Sequence, residues 1–107
     1  MIKIIRFQVW RVQLNPVQGK EIKKTRPCVI VSPDEMSSLS TVIVAPMTKK
    51  GFDYPCRVKC LFNGKNGRIL LDQIRAVDKS RLIKYLGDLD DSIQVELCLR
   101  LQEMFAY

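Results

Sequence analysis

Lys24-Thr25-Arg26-Pro27-Cys28-Val29-Ile30-Val31-Ser32-Pro33 is the stretch that decides the fold. Its centre, Cys28-Val29-Ile30-Val31, is a short unbroken apolar run rich in β-branched residues, which suits a strand buried on both faces. Pro27 opens the run and Pro33 closes it. Proline has no N–H to give to a ladder, so it is tolerated at strand ends and not at strand centres. Arg26 therefore sits where the chain passes from solvent into the core. A guanidinium fixed at the lip of a rigid sheet suits a phosphate. A surface ion pair with a nearby carboxylate is the ordinary alternative.

Working outward, Thr41-Val42-Ile43-Val44-Ala45-Pro46-Met47 repeats the plan: β-branched residues, then a proline that ends the ladder. Thr48 stands just past it, and Lys49-Lys50-Gly51 opens a basic loop. In that loop Phe52 and Tyr54 suit stacking on unpaired bases, or packing beneath the loop. Upstream, residues 2–14 alternate and predict a long, bent first strand with Trp10, Val12 and Leu14 turned inward. Asn15-Pro16 starts a turn, and a polar loop then carries Lys20, Glu21, Lys23 and Lys24 up to Arg26.

Downstream, residues 56–62 alternate again, and Asn63-Gly64-Lys65-Asn66-Gly67 is a strong hairpin signal. Residues 68–77 predict the next strand and 83–86 another short one. The tail changes period: Asp90 or Asp91 caps a helix with Gln94 in a capping box, and Ile93, Leu97, Leu101, Met104 and Phe105 form a core-facing stripe. The sum is a mostly β (α+β) chain of about six strands closed by one C-terminal helix, a small and strongly bent sheet or barrel.

With 107 residues, the chain is expected to form one domain over 1–107. No apolar run approaches the ~20 residues of a membrane-spanning helix, and residues 1–6 lack a signal-peptide pattern, so a cytoplasmic location without a membrane partner is expected. The net charge of +7 points to polyanions such as nucleic acid. Of the cysteines, Cys28 and Cys98 sit in apolar patterns, while Cys56 and Cys60 share one face of a strand. With no histidine and one such pair, neither a metal site nor a cofactor is expected.

Three segments in order carry a resemblance: 25–33, then Val42-Ile43-Val44-Ala45-Pro46-Met47-Thr48, then Ile69-Leu70-Leu71-Asp72-Gln73-Ile74-Arg75-Ala76-Val77-Asp78-Lys79-Ser80-Arg81-Leu82. Together they resemble the MazF/PemK family, the toxins of bacterial type II toxin–antitoxin pairs. The likeness runs from about Val9 to the tail. It implies an SH3-like barrel with a C-terminal helix that forms homodimers. It also implies a metal-independent endoribonuclease that cuts single-stranded mRNA at short sequences and leaves 2′,3′-cyclic phosphate and 5′-hydroxyl ends. A cognate antitoxin would block the RNA groove, and the pair would bind DNA.

The family's catalytic arginine falls on Arg26 and its catalytic threonine on Thr48. Its loop before the arginine falls on Gly19-Lys20-Glu21, and its Asp-Gln pair on Asp72-Gln73. The chain departs from the pattern at Phe7-Gln8, which bears on packing, and at Ile22, which bears on base recognition.

Cleavage by the RNA's own 2′-oxygen needs a proton acceptor, charge stabilisation at phosphorus and a proton for the leaving 5′-oxygen. Arg26 suits the charge and Thr48 a phosphoryl hydrogen bond or a proton relay. Glu21 and Asp72 are the candidate proton acceptors, with a salt bridge to Arg26 or a lysine as the alternative for Glu21. Lys20, Lys24, Lys49 and Lys50 suit phosphate contacts. Asp72 and Gln73 suit base reading or structural hydrogen bonding better than catalysis. Two other readings of the chain stand beside this one. One is a CcdB-like gyrase-binding toxin without nuclease activity, whose Trp-Gly-Ile ending has no counterpart in Met104-Phe105-Ala106-Tyr107. The other is a non-catalytic basic RNA-binding module.

Overall fold

A computed structural model describes residues 3–14, 24–49 and 53–107. The two apolar runs are neighbouring strands at the centre of a curled, mostly antiparallel sheet. Strand β2 (Thr25–Ile30) lies between β1 (Gln8–Gln13) and β3 (Thr41–Thr48). Val9 pairs with Val29 across β1 and β2, and Val29 with Ala45 across β2 and β3. One face of this trio buries Val9, Val29 and Ala45 with Leu97. The other buries Trp10, Val12, Cys28 and Val44. Burial on both faces is what an unbroken apolar run requires, since alternation would leave one face in water.

The far side of β3 is shared. Strand β5 (Lys65–Leu70) pairs with Met47 and Thr48, and β6 (Arg75–Asp78) pairs with residues 41–44. The single strand expected over 68–77 is thus two strands, broken by a 3₁₀ turn at Leu71–Gln73. Leu71 causes the break: its side chain is fully buried, and its N–H reaches across to the Cys56 carbonyl at 3.0 Å. Strand β4 (Arg57–Phe62) joins β5 through Asn63-Gly64, with Phe62 opposite Lys65. Both turn residues have positive φ, 49° and 76°, as a two-residue type I′ hairpin needs. Strand β7 (Leu82–Asp88) pairs with β1 at the other edge.

The first strand begins at Gln8, later than the alternation suggested, because Phe7 takes a left-handed φ of 72° and breaks the extended path. Gln8 holds this corner. Its Oε1 accepts from the Ile5 N–H at 2.8 Å and the Trp10 indole at 2.9 Å, and its Nε2 donates to the Lys3 carbonyl at 3.0 Å. Gln8→Leu strands the buried Trp10 indole N–H and is expected to cost about 1–3 kcal/mol in urea unfolding. An unchanged midpoint would show that the amide does not anchor the corner.

Helix α1 (Asp91–Phe105) closes the structure. The expected capping box does not form. The Asp90 side chain makes no cap bond, and the Gln94 amide donates to the Leu89 carbonyl at 2.9 Å. Ile93, Leu97 and Leu101 pack on the core. Met104 and Phe105, in the helix's last turn, are left exposed.

Candidate functional site

The ladder between β2 and β3 ends at the Cys28–Pro46 pair. Pro27, the next residue out on β2, has no N–H to give to β3. Beyond this point each strand keeps its other partner. Arg26 and Thr25 stay paired with β1, while Met47 and Thr48 stay paired with β5. Pro27 therefore sits inside β2, because it ends only the ladder to β3, and β3 runs past Pro46, whose ring nitrogen faces away from β2. A cleft of about 410 Å³ lies at the resulting gap, lined by Arg26 and Pro27 on one side and Met47, Thr48 and Lys49 on the other. Continuing the register by two residues sets Arg26 opposite Thr48.

Phe62, Lys65 and Gly67 of the β4–β5 hairpin complete the cleft. Gly67 keeps the approach open, since a Cβ there would stand 3.1 Å from the Thr48 carbonyl oxygen, closer than ordinary contact. None of these three is read as a site residue from sequence. The hairpin signal marked their turn, but nothing local shows that the hairpin folds against the end of β3.

Among the described residues, Arg57, Lys59, Arg68 and Arg100 are all held in ion pairs with carboxylates. Arg26, Lys49 and Lys65 are exposed and take part in none of those pairs. Among the described residues, no acidic one lines the cleft. An arginine, two lysines and a threonine around an apolar floor form a site for an anion attached to a flat apolar group.

Asp72 does not line this cleft. Arg57 grips it from Nε at 3.3 Å and Nη2 at 3.1 Å, and stacks 5.0 Å above the Tyr54 ring. Burial pushes the Asp72 carboxyl up, but the Arg57 hydrogen bonds and charge outweigh it and hold the carboxyl below its usual range. A depressed carboxylate stabilises the fold above its unfolded value of about 3.9 and loses that stabilisation as pH falls through the folded value. The pair is partly exposed, so Asp72→Asn is expected to cost only about 0.2–1 kcal/mol at pH 7. Wild type and variant should converge in strong acid, and a gap that persists there in chemical denaturation would contradict this.

Gln73 is half-buried beside Asp72, away from the cleft lining. Lys24 is exposed with a left-handed φ of 64°, at the entrance of β2. Lys20, Glu21, Lys50 and Phe52 lie outside the described residues. Tyr54 faces a second cleft with Arg57, Glu96 and Arg100, whose cations are already paired. Burial pushes the Cys60 thiol up to about 11, and Cys28 up to about 12 despite the Arg75 charge, so both are inert core thiols.

A relative from Staphylococcus epidermidis, Endoribonuclease MazF, is 39% identical over 101 residues, covering 88% of this chain and 84% of the relative. The fold matches crystallised MazF from Deinococcus radiodurans with a TM-score of 0.85 at 21% identity over the whole of both chains. It also matches a mycobacterial endoribonuclease solved in complex with its cognate antitoxin, with a TM-score of 0.79 at 22% identity over 94% of this chain and 92% of that one. The family model of PemK-like, MazF-like toxins matches residues 5–105. The chain therefore belongs to the PemK-like, MazF-like toxins of type II toxin–antitoxin systems.

Proposed function

We propose that the chain is a metal-independent endoribonuclease that cuts single-stranded mRNA at a short sequence in the cytoplasm. The observation that carries this reading is that Arg26 and Thr48 line one cleft where the ladder between β2 and β3 ends. The RNA's 2′-oxygen attacks the adjacent phosphorus, its proton passing to a base, and the P–O5′ bond breaks as the 5′-oxygen takes up a proton. The products are a 2′,3′-cyclic phosphate and a 5′-hydroxyl. Charge builds on the phosphoryl oxygens as the 2′-oxygen adds. The Arg26 fork meets it with two parallel N–H donors, and the Thr48 hydroxyl supplies a third contact.

Glu21 is the proposed proton acceptor. Asp72 is less suited, because its carboxylate already serves Arg57. Lys49, with Lys20, Lys24 and Lys50 of the flanking loops, would hold the neighbouring phosphates, so binding should weaken steeply as salt rises. The chain acts as a homodimer that a cognate antitoxin inhibits. Val95 and Leu99, one turn apart and exposed on α1, support an apolar contact with a second copy.

The test is to incubate the purified protein with a long single-stranded RNA in EDTA and map the ends. Discrete cuts with cyclic-phosphate and 5′-hydroxyl ends are expected. Absence of cutting by folded, antitoxin-free protein would overturn the nuclease reading in favour of a gyrase-binding toxin or a passive RNA binder.

A further inference from the structure

Phe62 has no role in the chemistry above, yet its side chain forms part of the cleft. It ends β4, is half-buried, and lines the cleft beside Pro27 and Met47. Its inner part packs on the core. Its tip lies over Gly87 of β7, where a Cβ would stand 3.2 Å from Cζ. Gly87 has a φ of 143°, so the backbone as well as the space reserves that position for glycine. The ring is thus laid from the hairpin towards the opposite edge strand. Lys65 is its direct cross-strand partner.

The cleft therefore pairs an apolar floor with a cationic and hydroxyl-bearing rim. A phosphate alone would use the rim and gain nothing from the floor. A nucleotide uses both, its phosphate on the rim and its base on an aromatic face. The volume of about 410 Å³ is within the range of pockets that bury small ligands. We propose that Phe62 is the stacking platform for one unpaired base beside the scissile phosphate, and so a substrate-binding residue. This rests on the endoribonuclease reading. Stacking of a base on an aromatic ring contributes through the ring face, so the subsite supplies affinity at one position of the target.

The probe is an oligonucleotide of the mapped target, 2′-deoxy at the cut nucleotide so that it binds uncut, with an abasic residue introduced at each flanking position in turn. One abasic position should weaken binding to the wild type by roughly 5- to 150-fold. Phe62→Leu should weaken binding of the intact oligonucleotide by a similar factor, and the two losses should not add. If Phe62→Leu does not fold, Phe62→Trp keeps an aromatic face. It should bind as the wild type does, with its added tryptophan fluorescence quenched on stacking, whereas unchanged fluorescence would overturn the proposal. Wild-type protein that cuts RNA but tolerates every abasic position overturns the Phe62 assignment alone. Protein that neither cuts nor binds RNA overturns the nuclease reading, and this inference with it.

Discussion

Arg26→Ala is expected to slow RNA cleavage by roughly 10²- to 10³-fold in single-turnover assays, the usual loss when one donor leaves an electrostatic cradle. The fold should survive. Arg26 is exposed and joins none of the ion pairs seen among the described residues, so its removal should move stability by no more than about 0.5 kcal/mol. Arg26→Lys should rescue poorly, because an ammonium keeps the charge but loses the planar fork that meets two phosphoryl oxygens at once. Thr48→Ala is expected to lose activity on the same scale. If the two side chains act on one phosphate, the double variant should lose less than the product of the single losses. Cutting at the wild-type rate by Arg26→Ala would remove this cleft from the chemistry.

Leu97→Ala is expected to cost about 2–5 kcal/mol, the typical range for a buried leucine whose cavity does not fully collapse. Leu97 is wholly buried and packs with Val9, Val29 and Ala45, where α1 covers the sheet. Small proteins hold only about 5–15 kcal/mol of stability in total, so the variant should sit near the edge of unfolding. Gln102→Ala, on the same helix and exposed, is the control and should change stability by no more than about 0.5 kcal/mol. A Leu97→Ala loss below 1 kcal/mol in urea unfolding would mean that α1 is not a structural part of the core.

The features that local chemistry determines were legible in the sequence. Cys28-Val29-Ile30-Val31 and its counterpart at 41–47 are central strands because β-branched runs without alternation must be covered on both faces. Asn63-Gly64 is a tight turn because its residues accept positive φ. Ile93, Leu97 and Leu101 face the core at helical spacing. Features that depend on partners distant in sequence were not legible. Pro46 is expected to end its strand, whereas β3 runs on past it to Thr48, since the partner on its far side changes from β6 to β5 there. The break at Leu71 follows from its bond to the Cys56 carbonyl, which no local pattern reveals. Phe62 read as one more residue of an alternating strand, and its place at the cleft depends on the fold bringing Gly87 beneath its ring. Arg26 and Thr48 entered through family resemblance, and both line the cleft at the end of the β2–β3 ladder.

The most direct measurement is a crystal structure of the protein with the mapped target RNA, 2′-deoxy at the cut nucleotide. The scissile phosphate is expected between the Arg26 guanidinium and the Thr48 hydroxyl, within about 3 Å of each. A phosphate seated elsewhere, for example in the second cleft of Tyr54, Arg57 and Arg100, would contradict the account.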